Sequence, residues 1–237
     1  MKYRRRNERR RHMQGVISWS GGKDSCLALY KTLSYGINVT HMLNFINDDV
    51  SLTMSHCLNP ELIKVQAAAL HLPLIQKRVN WNTYERGFQE ALRELKIKGV
   101  DTLINGDIDL AECIAWNRKM CGELRIRLLM PLENAKPERL LTDFIHVGFK
   151  AVIVCVNTST PARDWLGDEI DFAFLARLHS EKAGTVHFCG ELGEYHTLVT
   201  DGPIFSGKME IIESKPVNIE GYSYLDISRY NVKAKGR

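Results

Sequence analysis

Val16-Ile17-Ser18-Trp19-Ser20-Gly21-Gly22-Lys23-Asp24-Ser25-Cys26-Leu27-Ala28-Leu29 decides the fold of this 237-residue chain. A short apolar run reads as a buried strand over Gly15 to Trp19. A small-residue loop follows, then a helix-like run from Ser25 to Leu33. Strand, small-residue loop and helix in that order make an anion site. Glycines let the backbone approach a phosphate, and the N–H groups at a helix start point positive dipole at it. Lys23 adds a charge, Ser20 and Ser25 offer hydroxyls, and Asp24 can hold a metal or orient a nucleotide. The string is not a Walker A loop, which needs four residues between its first Gly and Gly-Lys-Ser/Thr. It is not the dinucleotide fingerprint either. A plain tight turn between strand and helix is the bland alternative for two glycines alone.

Working outward, strands and helices alternate. Val39 to Phe45 reads as the second strand, with Leu43-Asn44-Phe45 at its ligand-facing end. Asn59-Pro60 caps a helix from Glu61 to His71. Leu72 to Gln76 is a third strand, Thr83 to Lys96 a helix with Phe88, Leu92 and Leu95 on one stripe, and Gly99 to Ile104 a fourth strand ending in Asn105-Gly106-Asp107. Glu112 to Leu124 is helical and Leu128 to Leu132 is a fifth strand. This alternation predicts an α/β fold: a Rossmann-like, doubly wound parallel sheet with helices on both faces. Pro137 to Gly148 and Glu169 to Lys182 read as helices. Ala151 to Asn157 is so apolar that it reads as another parallel strand, buried on both faces. Val186 to Cys189, Leu198 to Thr200 and Lys208 to Ile212 read as short late strands, and residues from about Asn231 as loose. The expected organisation is a basic disordered tail over 1–13, a nucleotide domain over 14–132, a smaller α/β substrate region over 133–230 and a loose terminus over 231–237.

Hydrophobic residues make up 44% of the chain and charged ones 25%, ordinary for a globular protein. No apolar run approaches the roughly 20 residues of a membrane helix, and no signal peptide is visible. The net charge of +4 is concentrated in the first twelve residues, where Lys2 and six arginines stand against Glu8. The body is therefore close to neutral, and nucleic acid is not expected as a partner. Six scattered cysteines form no Cys-x-x-Cys pair, which disfavours zinc and iron–sulfur sites and suits a cytoplasmic location.

A second constellation lies far downstream: Gly190-Glu191-Leu192-Gly193-Glu194-Tyr195-His196-Thr197. It is too polar and flexible for a strand interior. Two carboxylates three residues apart, each directly after a glycine, can bind magnesium through waters, hold an amine, or act as general base, and His196 can shuttle a proton. A solvated turn is the alternative.

The two motifs together, with Asp201, Pro203 and Phe205, resemble the diphthine–ammonia ligase family, the diphthamide-synthetase branch of the N-type ATP pyrophosphatases. Glu61 to Pro73, Gly106-Asp107-Ile108 and Trp165-Leu166-Gly167 also look like stretches of that family. The resemblance covers roughly Gly15 to Ile212. It implies ATP and Mg2+ as cofactors, adenylation of a carboxylate with release of pyrophosphate, and displacement of AMP by ammonia. The acid in archaeal and eukaryotic members is diphthine on elongation factor 2. Ser18, Ser20, Gly21, Gly22, Lys23, Asp24, Ser25, Asn44, Gly106 and Asp107 would bind the nucleotide, with Asp24 on Mg2+. Gly190, Glu191, Gly193, Glu194, Tyr195, His196 and Thr197 would meet the acid and ammonia, and Lys23, Asp24, Glu191 and Glu194 would carry the chemistry. Three departures fall where the acid would be read, as in a divergent, bacterial-type member: Glu133 in place of a family Trp, Asp168 in place of an Arg, and a helix at Ala111 to Arg118 without the Arg-rich character. A tRNA-thiolase-type pyrophosphatase and a non-catalytic ATP/AMP sensor are the competing readings. The acid, the source of ammonia and the oligomeric state, homo-oligomer included, stay open.

Overall fold

The computed structural model describes residues 13–181, 185–219 and 221–236. The expectation for the basic tail falls almost wholly on residues outside these.

Five strands form the first sheet: β1 (Gln14–Ser18), β2 (Asn38–Asn47), β3 (Leu74–Val79), β4 (Thr102–Ile104) and β5 (Arg127–Leu129). All pair in parallel, in the order β3-β2-β1-β4-β5. The chain departs from β1 in both directions, so the crevice between β1 and β4 is the topological switch point where α/β sheets bind ligands. The connecting helices are α1 (Lys23–Ser34), α2 (Pro60–Leu70), α3 (Tyr84–Ile97) and α4 (Ala111–Leu124). Asn59 caps α2 by accepting the Glu61 N–H at 3.0 Å, with Pro60 at the first helical position.

Alternation along β1 assigns the two faces. Val16 packs with Leu43, Phe88, Leu92, Leu103 and Met120, the core beneath α3 and α4. Ile17 packs with Leu27, Leu29, Leu62 and Ile104, in a core that continues into the second half of the chain.

That second half holds α5 (Pro137–His146), β6 (Lys150–Asn157), α6 (Phe172–Glu181), β7 (Tyr195–Asp201), β8 (Gly207–Ile219) and β9 (Tyr222–Ala234). Its sheet runs β7-β6-β9-β8 and is antiparallel throughout. β6 was expected to be parallel and is not. It is apolar because it is an inner strand: its residues 153–156 are all buried, whichever face they point to. The loose terminus expected from Asn231 is instead the end of β9, where Val232 sits opposite Met209 and Lys233 opposite Lys208. Polar residues there are the solvent face of a two-stranded ribbon. Val186 to Cys189 forms turns, not a strand, and β7 starts at Tyr195, inside the stretch expected to lie outside any strand. Among the described residues no helix is long and apolar enough to cross a membrane.

Candidate active site

A cavity of about 490 Å3 opens at the switch point, within the usual range for small-molecule sites. Ser18, Ser20, Lys23, Asp24 and Ser25 line it from the end of β1 and the start of α1; Asn105, Gly106 and Asp107 line it from the end of β4; Gly190, Glu191, Tyr195, His196 and Thr197 line it from the second half. The two motifs therefore share one cavity.

The junction is built from backbone groups and two buried side chains, Thr197 and Gln66. Thr197 Oγ1 accepts the Lys23 N–H at 3.0 Å, and Gly21 O accepts the Val199 N–H at 2.9 Å. Gln66 on α2, 2% exposed, accepts from the Trp19 indole at 2.9 Å and donates to Gly21 O and Val199 O. Gly21 has φ +87, where a side chain would be strained. A Cβ on it would also meet Ile63, and one on Gly22 would collide with His56. Gly21 and Gly22 accordingly do not line the cavity: they face α2 and β7, and the loop presents its serines, Lys23 and Asp24 to the space instead. Gly106 also stands tight against its neighbours. A Cβ there would lie 3.0 Å from the Asp24 carbonyl and 3.1 Å from Ser25 N.

Lys23 is buried. Its Nζ donates to Asp24 Oδ2 at 2.8 Å and to Cys189 O, and sits 5.1 Å from the centre of the Tyr195 ring. Burial works against the ammonium, but Asp24, Tyr195 and Cys189 outweigh it and hold the pKa above the ordinary lysine value. Lys23 stays a fixed cation.

Four carboxylates, from Asp24, Asp107, Glu112 and Glu191, line the cavity with it. Burial pushes Asp107 up to about 6; the Asn117 amide, donating at 2.8 Å, works the other way, and the charge of Asp24 adds to the rise. Glu191 goes further. Burial and the neighbouring Asp24 charge raise it to about 8, with Lys23 offsetting part and Asp107 adding. The Ile108 N–H donates to it at 3.4 Å. Glu191 is thus a carboxyl poised to exchange a proton near neutral pH.

Glu194 does something else. It is 4% exposed and does not line the cavity. Its carboxylate accepts the His187 N–H at 2.7 Å and the Leu192 N–H at 3.0 Å, so it holds the Glu191 loop together from inside. Gly193 makes the turn with φ +82 and also lies off the cavity. The two carboxylates that the sequence pairs as one acidic loop thus point in different directions, because a loop this tight needs internal acceptors for its own N–H groups. Asn44 is likewise consumed: it donates to Trp19 O at 2.9 Å and accepts from Gln76 at 3.1 Å. With Leu43 and Phe45 it borders a smaller cavity of about 60 Å3, which shares Ser18, Ser20, Ser55, His56 and Tyr84 with the main one.

Several lining residues were not singled out from the sequence. His56 donates from Nδ1 to Thr197 O at 2.8 Å and faces His196, ring centres 4.8 Å apart. Burial lowers His56 to about 4, and burial, His56 and Lys23 push His196 well below its usual value, so both imidazoles are neutral. Tyr84, Phe88 and Trp116 form an aromatic flank from α3 and α4, with Phe88 and Trp116 at 4.8 Å and Tyr84 and Trp116 at 5.7 Å. Their helical spacing reads as core, and only the far side of that core is cavity wall. Glu133 and Asp168, two of the departures, lie off the cavity and are paired with Arg118 and Arg177.

For a divalent cation, Asp24 and Asp107 supply oxygen donors near where phosphates would lie. Among the described residues no group of three or more His, Cys, Asp or Glu side chains closes into a metal cage. That donor set suits Mg2+, which keeps waters and binds through one or two carboxylates and substrate phosphates.

A parallel sheet in this strand order, with a Ser-Gly-Gly-Lys-Asp-Ser loop at the switch point, defines a Rossmann-like α/β protein with its cavity at the strands' carboxyl ends. The diphthamide synthase N-terminal domain matches residues 13–128 and the diphthamide synthase C-terminal domain residues 136–232. The chain belongs to the diphthamide synthase family. Relatives include the diphthine–ammonia ligases of Mus musculus, 26% identical with 91% of each chain covered, and of Schizosaccharomyces pombe, 25% identical over 86% of this chain. The chain spans only 36% of the fission-yeast protein. A solved structure from Methanocaldococcus jannaschii, titled a predicted subunit of tRNA methyltransferase, is 14% identical over 81% of this chain and all of that one, with a TM-score of 0.43.

Proposed function

We propose that this chain is an ATP-dependent amidoligase of the diphthine–ammonia ligase type, which adenylates a carboxylate and replaces AMP with ammonia. The observation that carries the reading is the placement of Glu191 in the same cavity as Ser20, Lys23 and Asp24. A nucleotide sensor needs the loop but not a second, proton-exchanging carboxyl.

Ser20, Ser25 and the start of α1 bind the β and γ phosphates, and Lys23 stabilises the charge that grows on pyrophosphate as it leaves. Mg2+, bound through Asp24, would neutralise the remaining phosphate charge. The acid's oxygen attacks the α phosphorus, and the bond to the bridging oxygen of pyrophosphate breaks. Ammonia then attacks the acyl carbon, and AMP departs with the C–O electron pair. Glu191 takes the proton that the nitrogen must lose. Its raised pKa makes it a better base than an ordinary carboxylate and closer in strength to the ammonium ion it faces. The aromatic flank of Tyr84 and Trp116 suits a planar ring.

The thiolase alternative finds less support. Two thiols line the cavity, Cys113 and Cys189, and both are raised by burial, which keeps them protonated and poorly nucleophilic. The test is product analysis with ATP, Mg2+, ammonium and elongation factor 2 carrying diphthine. AMP, pyrophosphate and amide in equal amounts are expected. ADP as product, or AMP without amide, would exclude the reading.

A further inference from the structure

Behind the Glu191 loop stands a contact that the cavity itself does not show. Backbone N–H groups of Cys189 and Glu191 both donate to Nδ1 of His187, at 3.1 and 3.3 Å. An N–H can only donate, so Nδ1 carries the lone pair and the ring proton sits on Nε2. That nitrogen lies 3.1 Å from Asp109 Oδ2 and donates to it. Asp109 belongs to the first half of the chain, between β4 and α4, just beyond Asp107 and Ile108. Cys189 O, on the same loop, accepts from Lys23. One imidazole therefore ties the loop bearing Glu191 to the segment that follows β4, at the edge of the cavity both help to form.

We propose that His187 and Asp109 are positioning residues of the site: the imidazole clasps the Cys189 and Glu191 amides, Asp109 fixes its tautomer, and the clasp sets where the Glu191 carboxyl stands relative to Lys23 and Asp24. This rests on the amidoligase reading above. It needs no contact between His187 and substrate. Orienting partners of this kind hold reacting groups in place through hydrogen bonds to a fixed tautomer.

Two substitutions separate the clasp from general support. In His187→Asn the side-chain oxygen falls near the place of Nδ1 and keeps an acceptor for the amides. In His187→Gln the amide nitrogen falls near the place of Nε2, which keeps the link to Asp109 but leaves the loop N–H groups without their acceptor. Amide hydrogen exchange at Cys189 and Glu191 and steady-state AMP formation are measured on the full chain. His187→Asn is expected to keep both amides protected and to lose no more in kcat than Asp109→Leu, since it gives up the same link to Asp109. His187→Gln is expected to lose that protection and at least about tenfold in kcat, with KM for ATP changed less than about threefold. Asp109→Leu is expected to lose about threefold or more in kcat; an unchanged kcat removes Asp109 from the proposal. Equal losses in the Asn and Gln variants, or protected amides in His187→Gln, would overturn the clasp. Absence of AMP from the wild-type chain would overturn the ligase reading and the catalytic part of the proposal, while the exchange comparison would still decide the clasp.

Discussion

Thr197 Oγ1 accepts the backbone N–H of Lys23 at 3.0 Å, across 174 residues of chain. The phosphate loop is thus finished by a residue of the second half. Thr197→Val keeps the shape and removes the acceptor from a buried N–H, at about 1–3 kcal/mol. We expect weaker ATP binding together with a lower melting temperature, by about 2–4 °C for each kcal/mol in a chain of this size. Calorimetry with and without ATP checks both; full ATP affinity in the valine variant would mean that the loop is shaped without its partner.

Gln66 makes the same junction from α2. Gln66→Leu strands the Trp19 indole N–H in the core and leaves Gly21 O and Val199 O without this donor. The expected cost is about 1–3 kcal/mol, seen as a lower denaturation midpoint. A midpoint unchanged from wild type would show that the buried amide contributes nothing.

Glu191 predicts two pH profiles. Its carboxyl is raised from 4.5 to about 8 in the fold, so the unfolded chain ionises first as pH rises. The wild-type protein therefore loses stability from about pH 4.5 to about pH 8, and Glu191→Gln escapes that loss. Thermal melts should coincide near pH 4.5 and diverge in favour of the Gln variant up to about pH 8. Acting as base, the ionised carboxyl should make kcat rise through the same upper value, and Glu191→Gln should be inactive. Melts that stay parallel at every pH would contradict the buried, Asp24-coupled placement.

Glu194 accepts N–H groups of its own loop. Glu194→Gln keeps one acceptor of two and should lower kcat by about tenfold, equivalent to about 1.4 kcal/mol, with the ATP dissociation constant nearly unchanged. Loss of ATP affinity instead would place Glu194 in the nucleotide site.

Gly106→Ala drives a methyl into the Asp24 carbonyl and Ser25 N, which are backbone and cannot rotate away. Overpacking of this kind costs about 1–3 kcal/mol and should displace Asp24. A soluble variant with unaltered turnover would show that the end of β4 has slack.

Much of the first sheet is legible in the sequence because its signals are local. The apolar Val16-Ile17 run, the loop glycines, and Asn59-Pro60 each carry their own physical reason. The second sheet is not legible in the same way. The run at β6 shows only that both faces are buried, and an inner antiparallel strand satisfies that as well as a parallel one. β9 alternates polar and apolar residues that gain meaning only once β8 lies beside it. The candidate site divides similarly. Residue types announce Lys23, Asp24 and Glu191. Nothing local separates Glu191 from Glu194, since the direction of each carboxylate depends on which N–H groups the folded loop leaves to be satisfied. Gln66 acts through partners dozens of residues away, and so does the pairing of His187 with Asp109, while Tyr84 and Trp116 read as core until the cavity beside them is seen.

The transfer of oxygen tests the central claim most directly. An acid labelled with oxygen-18 in its carboxylate is incubated with the protein, ATP, Mg2+ and ammonium, and the AMP is weighed by mass spectrometry. Adenylation followed by amide formation leaves one labelled oxygen on the phosphate of each AMP formed. Unlabelled AMP, or ADP in its place, would contradict the account.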